Sequence, residues 1–255
     1  MASGTDHPTR VLVIGGSGHV GAEICRELVA GGSRLAFTCH HGAGRAGELS
    51  ASLSDTGHRT HSFALDLEDL QNVTQVVRSA EEVLGGLDAL VVASGLATGQ
   101  PWTGHQPGFF EITPTGFNTL MAVNVRGVFF ACQEASRIMS AGGGGRIAIV
   151  GSVDGVKPVP SPPDYACSKS ALWGLTQSLS KELGRAGILV NLVAPGILSG
   201  GIAGYLSQEL MKDYLRHSAL RRVGTASEIA RVVAFLVSPR NTYLTGQAVV
   251  LDGGL

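Results

Sequence analysis

The chain has few charges, few cysteines and no long apolar run, and each shortage argues against something. Charged residues make up 15% of its 255 residues, and the formal net charge is −1. A nucleic-acid partner requires a clustered basic excess to displace counterions, and this balance does not supply one. No apolar stretch reaches the roughly 18 residues of a membrane-spanning helix, so no membrane association is expected. The opening MASGTDHPTR has no apolar h-region, and no secretory signal is expected. The four cysteines, Cys25, Cys39, Cys132 and Cys167, form no C-x-x-C pair and no cluster with histidine at metal-ligand spacing. That pattern argues against a metal site and fits a reduced, cytoplasmic setting. Cys167 reads as a small packing residue rather than a nucleophile.

Hydrophobic residues, at 44%, are plentiful enough for a large core. Short apolar runs (VLVIG, RLAFTC, HSFALD, LDALVVASG, GRIAIVGS, ILVNLVAPG and AVVLDGG) alternate with helix-length amphipathic runs. The helices are expected near 20–30, 67–84, 115–140, 164–185 and 227–237. Strands this uniformly apolar are buried on both faces, as in a parallel sheet. Strand–helix alternation implies βαβ units. The expected fold is therefore α/β: a Rossmann-type, doubly wound parallel sheet of about seven strands with helices on both faces. No repeat or linker divides the chain, so one domain over 10–255 is expected, preceded by a loose tail over 1–9. Ligands of such sheets bind at the carboxyl ends of the strands.

The first strand runs into GGSGHVG, with Gly15, Gly18 and Gly21 three apart. Glycines here allow a tight turn, close approach of backbone to a pyrophosphate, and close helix–strand packing. The helix that follows would turn its positive dipole end to the phosphates. The second strand ends Thr38-Cys39-His40-His41, and no acidic residue appears through Ala46. An NAD site usually has a carboxylate there for the ribose 2′-hydroxyl. His40, His41 and Arg45 would instead meet a 2′-phosphate, although histidine is a weaker phosphate partner than arginine at neutral pH. That favours NADP(H) over NAD(H). Asp66 ends the third strand, either to accept from an adenine amino group or to cap the next helix.

The stretch Ser152–Lys169 carries the chemistry. Tyr165 and Lys169 lie four apart, on one face of a helix. An ammonium beside a phenol favours the phenolate, so the tyrosine pKa is expected to fall from its usual ~10 toward neutrality. A tyrosine so tuned is a useful general acid or base. Ser152, at the end of GRIAIVGS, is placed to hold a carbonyl oxygen. Alone, Tyr-x-x-x-Lys is a common surface pattern.

Together with Asn124 in VNVRGVFF, the Pro195-Gly196 turn, LRRVGTASEIA and the closing LDGG, these motifs resemble the short-chain dehydrogenase/reductase family from Val11 to Gly254. The likeness is greatest to 3-oxoacyl-acyl carrier protein reductases and similar ketoreductases. The resemblance implies NAD(P)-dependent interconversion of ketone and secondary alcohol by a tetrad of Asn124, Ser152, Tyr165 and Lys169. Asn124 would hold a water of a proton relay, and Lys169 would also reach the ribose. Expected cofactor contacts are Gly15, Ser17, Gly18, His19, Val20, Gly21, His40, His41, Asp66, Leu67, Ala93, Ser94, Gly95, Tyr165, Lys169, Pro195, Gly196 and Leu198. The resemblance also implies a homotetramer. Long helices with Val128, Phe129, Phe130, Leu172, Trp173 and Leu175 on more than one face point the same way.

The departures matter as much. His19 stands where single-domain members have glycine, and the Gly15/Gly18/Gly21 spacing is similar to that of extended members. Many of those use bound NAD(P) for epimerisation or dehydration, which is the alternative reading. A non-catalytic nucleotide sensor is a further one. Val92-Ala93-Ser94-Gly95 replaces the family's N-N-A-G. The stretch 142–145 is all glycine rather than basic, which puts docking of an acyl carrier protein in doubt. Two segments would shape the substrate site. One is a long loop over 96–113 with Trp102, His105, Phe109 and Phe110. The other is a lid-like stretch over 197–222 with Tyr205.

Overall fold

The computed structural model describes residues 8–40, 43–54, 60–98, 107–200 and 208–255. The apolar runs form seven strands: β1 (Arg10–Ile14), β2 (Arg34–Cys39), β3 (Thr60–Ala64), β4 (Ala89–Val92), β5 (Gly145–Val150), β6 (Ile188–Pro195) and β7 (Ala248–Leu251). All pair in parallel, in the order β3-β2-β1-β4-β5-β6-β7. The chain winds outward from β1 to β3, then returns to lay β4 on the other side of β1. That reversal opens a crevice beyond the carboxyl ends of β1 and β4. Thr9, expected in the loose tail, already accepts from the Arg34 N–H at 2.9 Å. Residues 1–7 lie outside the described residues.

The central strands β1, β4 and β5 are apolar because each feeds two cores, whereas the edge strands β3 and β7 are only partly buried. Val11 and Val13 of β1 pack on one side, Leu12 and Ile14 on the other. The same alternation puts Leu90 and Val92 of β4, with Ile147 and Ile149 of β5, in the core of Leu12 and Ile14, and Ala89, Val91 and Ala148 in the core of Val11 and Val13. Helices α3 (Leu70–Leu84), α5 (Val128–Ala141) and α6 (Pro163–Glu182) cover one face. Helices α1 (His19–Ala30), α2 (Ala43–Ser54) and α8 (Ala226–Val237) cover the other. Fully burying one such aliphatic side chain contributes about 1.5–3 kcal/mol. Helices α4 (Pro114–Met121) and α7 (Gln208–His217) complete the set among the described residues.

Two local departures from the sequence pattern shape the site. Helix α3 starts at Leu70 rather than 67 because Asp69 caps it, accepting from the N–H groups of Gln71 and Asn72. Asp66 is therefore not the cap; it accepts from the Glu68 N–H at 2.9 Å. The helix expected over 115–140 is interrupted by a π-helical turn, Ala122–Gly127, between α4 and α5. The widened turn brings Asn124 fully inside the protein. It also seats Gly127 on Leu67, where a Cβ would come within 2.4 Å of the Leu67 carbonyl oxygen. Single π turns of this kind recur at functional sites.

Candidate active site

The glycine turn is built for close backbone approach. Gly15 has φ +81, and a Cβ there would sit 2.9 Å from Ser94. At Gly21 a Cβ would strike the Gly15 carbonyl oxygen at 2.1 Å, so only glycine lets α1 start against the turn. The turn is held by the Gly15 N–H donating to Thr38 Oγ1 at 2.9 Å, the Ser17 N–H to the Thr38 carbonyl at 3.3 Å, and the Gly18 N–H to the Gly15 carbonyl at 3.0 Å. His19 and Val20 open α1. The cradle left by the absent side chains, facing a helix N-terminus, fits a dinucleotide pyrophosphate. His19 also reaches across the crevice, its Nε2 2.7 Å from the Ser199 carbonyl oxygen. Gly200, at φ +77, leaves room for that ring: a Cβ would lie 2.7 Å from it.

Beyond the carboxyl ends of β2 and β3, His40 Nε2 lies 3.9 Å from Asp66 Oδ1. Leu67 is buried in the core, and only its backbone is left to face a ligand. Arg45 is exposed on α2. His41 lies outside the described residues.

Two residues of the expected tetrad, Asn124 and Lys169, meet at Gly95. A Cβ on Gly95 would lie 3.0 Å from Lys169 Nζ and 3.3 Å from Asn124 Oδ1. Asn124 accepts from the Leu96 N–H at 2.7 Å and donates to the Leu96 carbonyl at 2.9 Å and to Ser168 Oγ at 3.1 Å. Lys169 is buried, its Nζ 5.4 Å from the Tyr165 ring centroid. Ser152 follows β5, whose extension is held by the Gly151 N–H donating to the Val193 carbonyl at 2.8 Å. Beside Tyr165 and Lys169 opens a cavity of about 750 Å³, lined also by Val20, Ser94, Thr98 and Ile112.

The expected fall in the tyrosine pKa is not found. Burial pushes the Tyr165 phenol up to about 12, the Asp154 carboxylate adds to the rise, and the Ser152 hydroxyl pulls the other way. Burial also brings Lys169 down to about 8, against the pull of Asp154. The lysine stands over the ring rather than at the hydroxyl, and desolvation of the phenol is the largest cause of its shift. Asp154, absent from the sequence expectations, is responsible for part of this. It sits on the 3₁₀ turn Val153–Gly155 and accepts a very short hydrogen bond from Ser152 Oγ through Oδ2. The only available signal was an acid two residues past the serine, in an otherwise apolar turn.

Other groups missed by the sequence reading hold the site's walls. Buried Asp164 accepts from the Thr98 hydroxyl and the Tyr165 N–H, both at 2.8 Å. Tyr214 of α7 accepts from the Ile197 N–H and donates to the Asp252 carbonyl, both at 3.2 Å, and so pins the Pro195-Gly196 turn. The Gly196 N–H donates to the Leu251 carbonyl at 2.9 Å, and Leu198 bridges to Gly224. Ala93 continues β4, its N–H donating to the Ile14 carbonyl at 2.8 Å. Phe109 and Phe110 are exposed, and Cys167, read as a packing residue, is exposed as well. Trp102, His105 and Tyr205 lie outside the described residues.

Comparison with known proteins agrees with this geometry. A family model described as enoyl-(acyl carrier protein) reductase matches residues 17–255. The 3-oxoacyl-[acyl-carrier-protein] reductase MabA of Mycobacterium tuberculosis is 30% identical over 96% of this chain and 92% of its own length. The structure of a short-chain dehydrogenase/reductase from Serratia marcescens superposes with a TM-score of 0.88 at 34% identity, covering 97% of this chain and 98% of that one. A blue fluorescent protein from a metagenomic library, solved with NADPH, gives a TM-score of 0.87 at 33% identity over 97% of this chain and 98% of that one. The chain belongs to the short-chain dehydrogenase/reductase family of NAD(P)-dependent oxidoreductases acting on CH–OH and C=O groups.

Proposed function

We propose that the protein is an NADPH-dependent ketone reductase, reversible to oxidation of the matching secondary alcohol, with Tyr165 as the proton donor. The observation that supports this most is one chain of contacts, Asn124 and Lys169 meeting at Gly95, Lys169 over the Tyr165 ring and the Ser152 hydroxyl on the Tyr165 phenol, beside a cavity at the carboxyl ends of β4 and β5. When bound, the nicotinamide supplies the hydride. The chain's own residues do the rest. Gly15, Ser17, Gly18, His19, Val20 and Gly21 hold the pyrophosphate, and His40, Arg45 and Asp66 face the adenosine. Ala93, Ser94, Gly95, Pro195, Gly196 and Leu198 frame the nicotinamide half.

Tyr165 keeps its proton well above neutral pH, which suits a donor in the reductive direction. Ser152 orients the carbonyl oxygen toward it. Lys169 is the cation behind the tyrosine and reaches the ribose. Asn124 holds the strand end over which the substrate lies.

The name of MabA supports a 3-oxoacyl or related substrate. The all-glycine stretch 142–145 offers no basic docking site, so a free small molecule is proposed rather than a carrier-bound one. A cytoplasmic homotetramer is part of the same reading. The Gly15/Gly18/Gly21 spacing favours a second reading, net epimerisation or dehydration with the cofactor recycled. Stoichiometry separates the two, since reduction consumes one NADPH for each product formed.

The direct test is Tyr165→Phe, assayed by reduced-nicotinamide absorbance on a panel of ketones and alcohols with both cofactors. Cofactor affinity is expected to persist while turnover falls about 10²–10⁴-fold. A Phe variant that keeps more than about a tenth of kcat would remove Tyr165 from the mechanism.

A further inference from the structure

Ser152 does not offer a free hydroxyl. Its proton is donated to Asp154 Oδ2, and the Asp154 N–H approaches the same Oγ at 3.4 Å. What remains at Ser152 is acceptor capacity, whereas a ketone oxygen needs a donor. To serve a plain ketone, Ser152 must surrender a charge-assisted bond for a weaker neutral one. Asp154 is half-buried and makes no ion pair among the described residues, so its carboxylate loses its Ser152 hydrogen bond when Ser152 turns away. Its position is fixed. Val153 and Gly155 are buried on either side of it. A Cβ on Gly155 would lie 2.5 Å from the Lys169 carbonyl, so the turn rests directly on α6.

We propose that Asp154 makes this a hydroxyketone site: the substrate carries a hydroxyl on the carbon beside the reacting carbonyl. That hydroxyl donates to Asp154 as Ser152 turns to the carbonyl oxygen. Two oxygens on adjacent carbons lie about as far apart as two hydrogen-bonded oxygens, ~2.8 Å. One such pair thus matches the neighbouring Ser152 and Asp154 oxygens. The charge of buried Lys169 is felt at the same carboxylate without an ion pair to it, so the site asks the substrate for a hydrogen-bond donor rather than for a second cation. The hydroxyl itself is unchanged by the reaction. The carbonyl carbon gains hydride from NADPH, its oxygen gains the Tyr165 proton, and the product is a vicinal diol.

This inference rests on the ketone-reductase reading, and its test separates the two. Rates of NADPH oxidation are compared for 3-hydroxybutan-2-one, butan-2-one and 3-aminobutan-2-one, using wild type, Asp154→Asn and Asp154→Val. Sites built to hydrogen-bond a substrate hydroxyl reject analogues lacking it strongly, so wild type should favour the hydroxyketone by about 10²-fold or more in kcat/KM. The ratio should fall to near one in Asp154→Val and to an intermediate value in Asp154→Asn, whose amide oxygen still accepts. An unchanged NADPH dissociation constant shows that both variants are folded.

A readout independent of turnover uses Tyr165→Phe loaded with NADP⁺. It should bind butane-2,3-diol more tightly than butan-2-ol, and the difference should vanish when Asp154→Val is added. Equal rates and equal binding for the two members of each pair in wild type would overturn the proposal. So would a preference that survives in Asp154→Val, or a preference for the aminoketone over the hydroxyketone. If Tyr165→Phe turns over like wild type, it is the reductase reading that fails. If Tyr165→Phe is dead and Asp154→Val keeps the preference, only the role of Asp154 falls.

Discussion

Asn124 grips the backbone of Leu96 twice, accepting from its N–H at 2.7 Å and donating to its carbonyl at 2.9 Å. The second amide hydrogen goes to Ser168, one residue before Lys169. The sequence reading gave Asn124 a relay water. In this structure its amide group is committed to the protein, and it ties the end of β4 to α6. Asn124→Ala should therefore cost stability before it costs chemistry. It strands the part-buried N–H and carbonyl of Leu96, a loss of up to about 1–3 kcal/mol each where water cannot replace the partner. Thermal unfolding should show a clear drop, with a weaker NADPH dissociation constant as Gly95 loosens. A variant as stable as wild type would show that the clamp contributes nothing.

Most of the fold was readable because its signals are local and redundant. Both-face burial forces the strands to be apolar at every position, as in Val11 to Ile14, and βαβ connections leave few ways to order them. The glycine turn was readable for a steric reason, since no Cβ fits at Gly21. What escaped was balance and distance. The Tyr165 shift depends on desolvation and the Asp154 charge against the Ser152 hydrogen bond, and Tyr-x-x-x-Lys spacing carries no burial information. The His19 contact with Ser199 joins residues 180 apart in sequence, and the Tyr214 contacts with Ile197 and Asp252 join other segments. No periodicity encodes either. The π turn at Asn124 was hidden because the helical pattern continues on both sides of it.

The cofactor preference should be traceable to one exposed arginine. Arg45 stands on α2 with no carboxylate between Thr38 and Ala46, and among the described residues it makes no ion pair. His40 has Asp66 as a neighbour at 3.9 Å. A charge-assisted bond to a 2′-phosphate contributes about 1.5–3 kcal/mol, so Arg45→Ala should weaken NADPH about tenfold or more. NADH, which lacks that phosphate, should bind both proteins alike. Fluorescence titration of the two reduced cofactors measures this. An equal loss for both, or none for either, would take Arg45 out of the site.

The buried lysine makes folding depend on pH in a predictable direction. Lys169 titrates near 8 in the folded protein against 10.5 for an ordinary lysine. Between those values the unfolded chain holds a proton that the folded one lacks, so stability rises with pH across that window. Tyr165 acts oppositely and later. Raised from 10 to about 12, it keeps its proton when the unfolded chain has lost it, so its contribution falls over that higher range. Urea midpoints measured at pH 8 and 9.5 should therefore rise more in wild type than in Lys169→Met. Parallel shifts in the two proteins would mean that the ammonium is solvated in the folded state.

Two separated apolar patches predict assembly into a closed tetramer. The first lies on α4 and α5, where Phe117 is 38% exposed and Phe129 43% exposed. Phe129 is propped edge-on against Phe130, with ring centroids 5.3 Å apart. Trp173 and Leu175, expected on this face, pack partly into the core instead, so the phenylalanines carry the argument. The second patch lies on the opposite face of the sheet and along its β7 edge. There Phe235 of α8 is 42% exposed, and Val250 is 36% exposed on β7, an edge strand. Leu255 is half-buried: Lys157 Nζ donates to its carbonyl at 2.6 Å and pairs with Asp252 at 2.5 Å, which fastens the tail that follows β7. An unprotected edge strand invites pairing with another copy. Two self-complementary patches on one chain generate two twofold axes, and two perpendicular twofolds close at four subunits. Light scattering at micromolar concentration should give about four times the 26.3 kDa of one chain. Phe129→Glu and Phe235→Glu should each halve that mass by opening one axis and sparing the other. A mass of one chain in the wild type would reject the assembly and leave both patches without a partner copy.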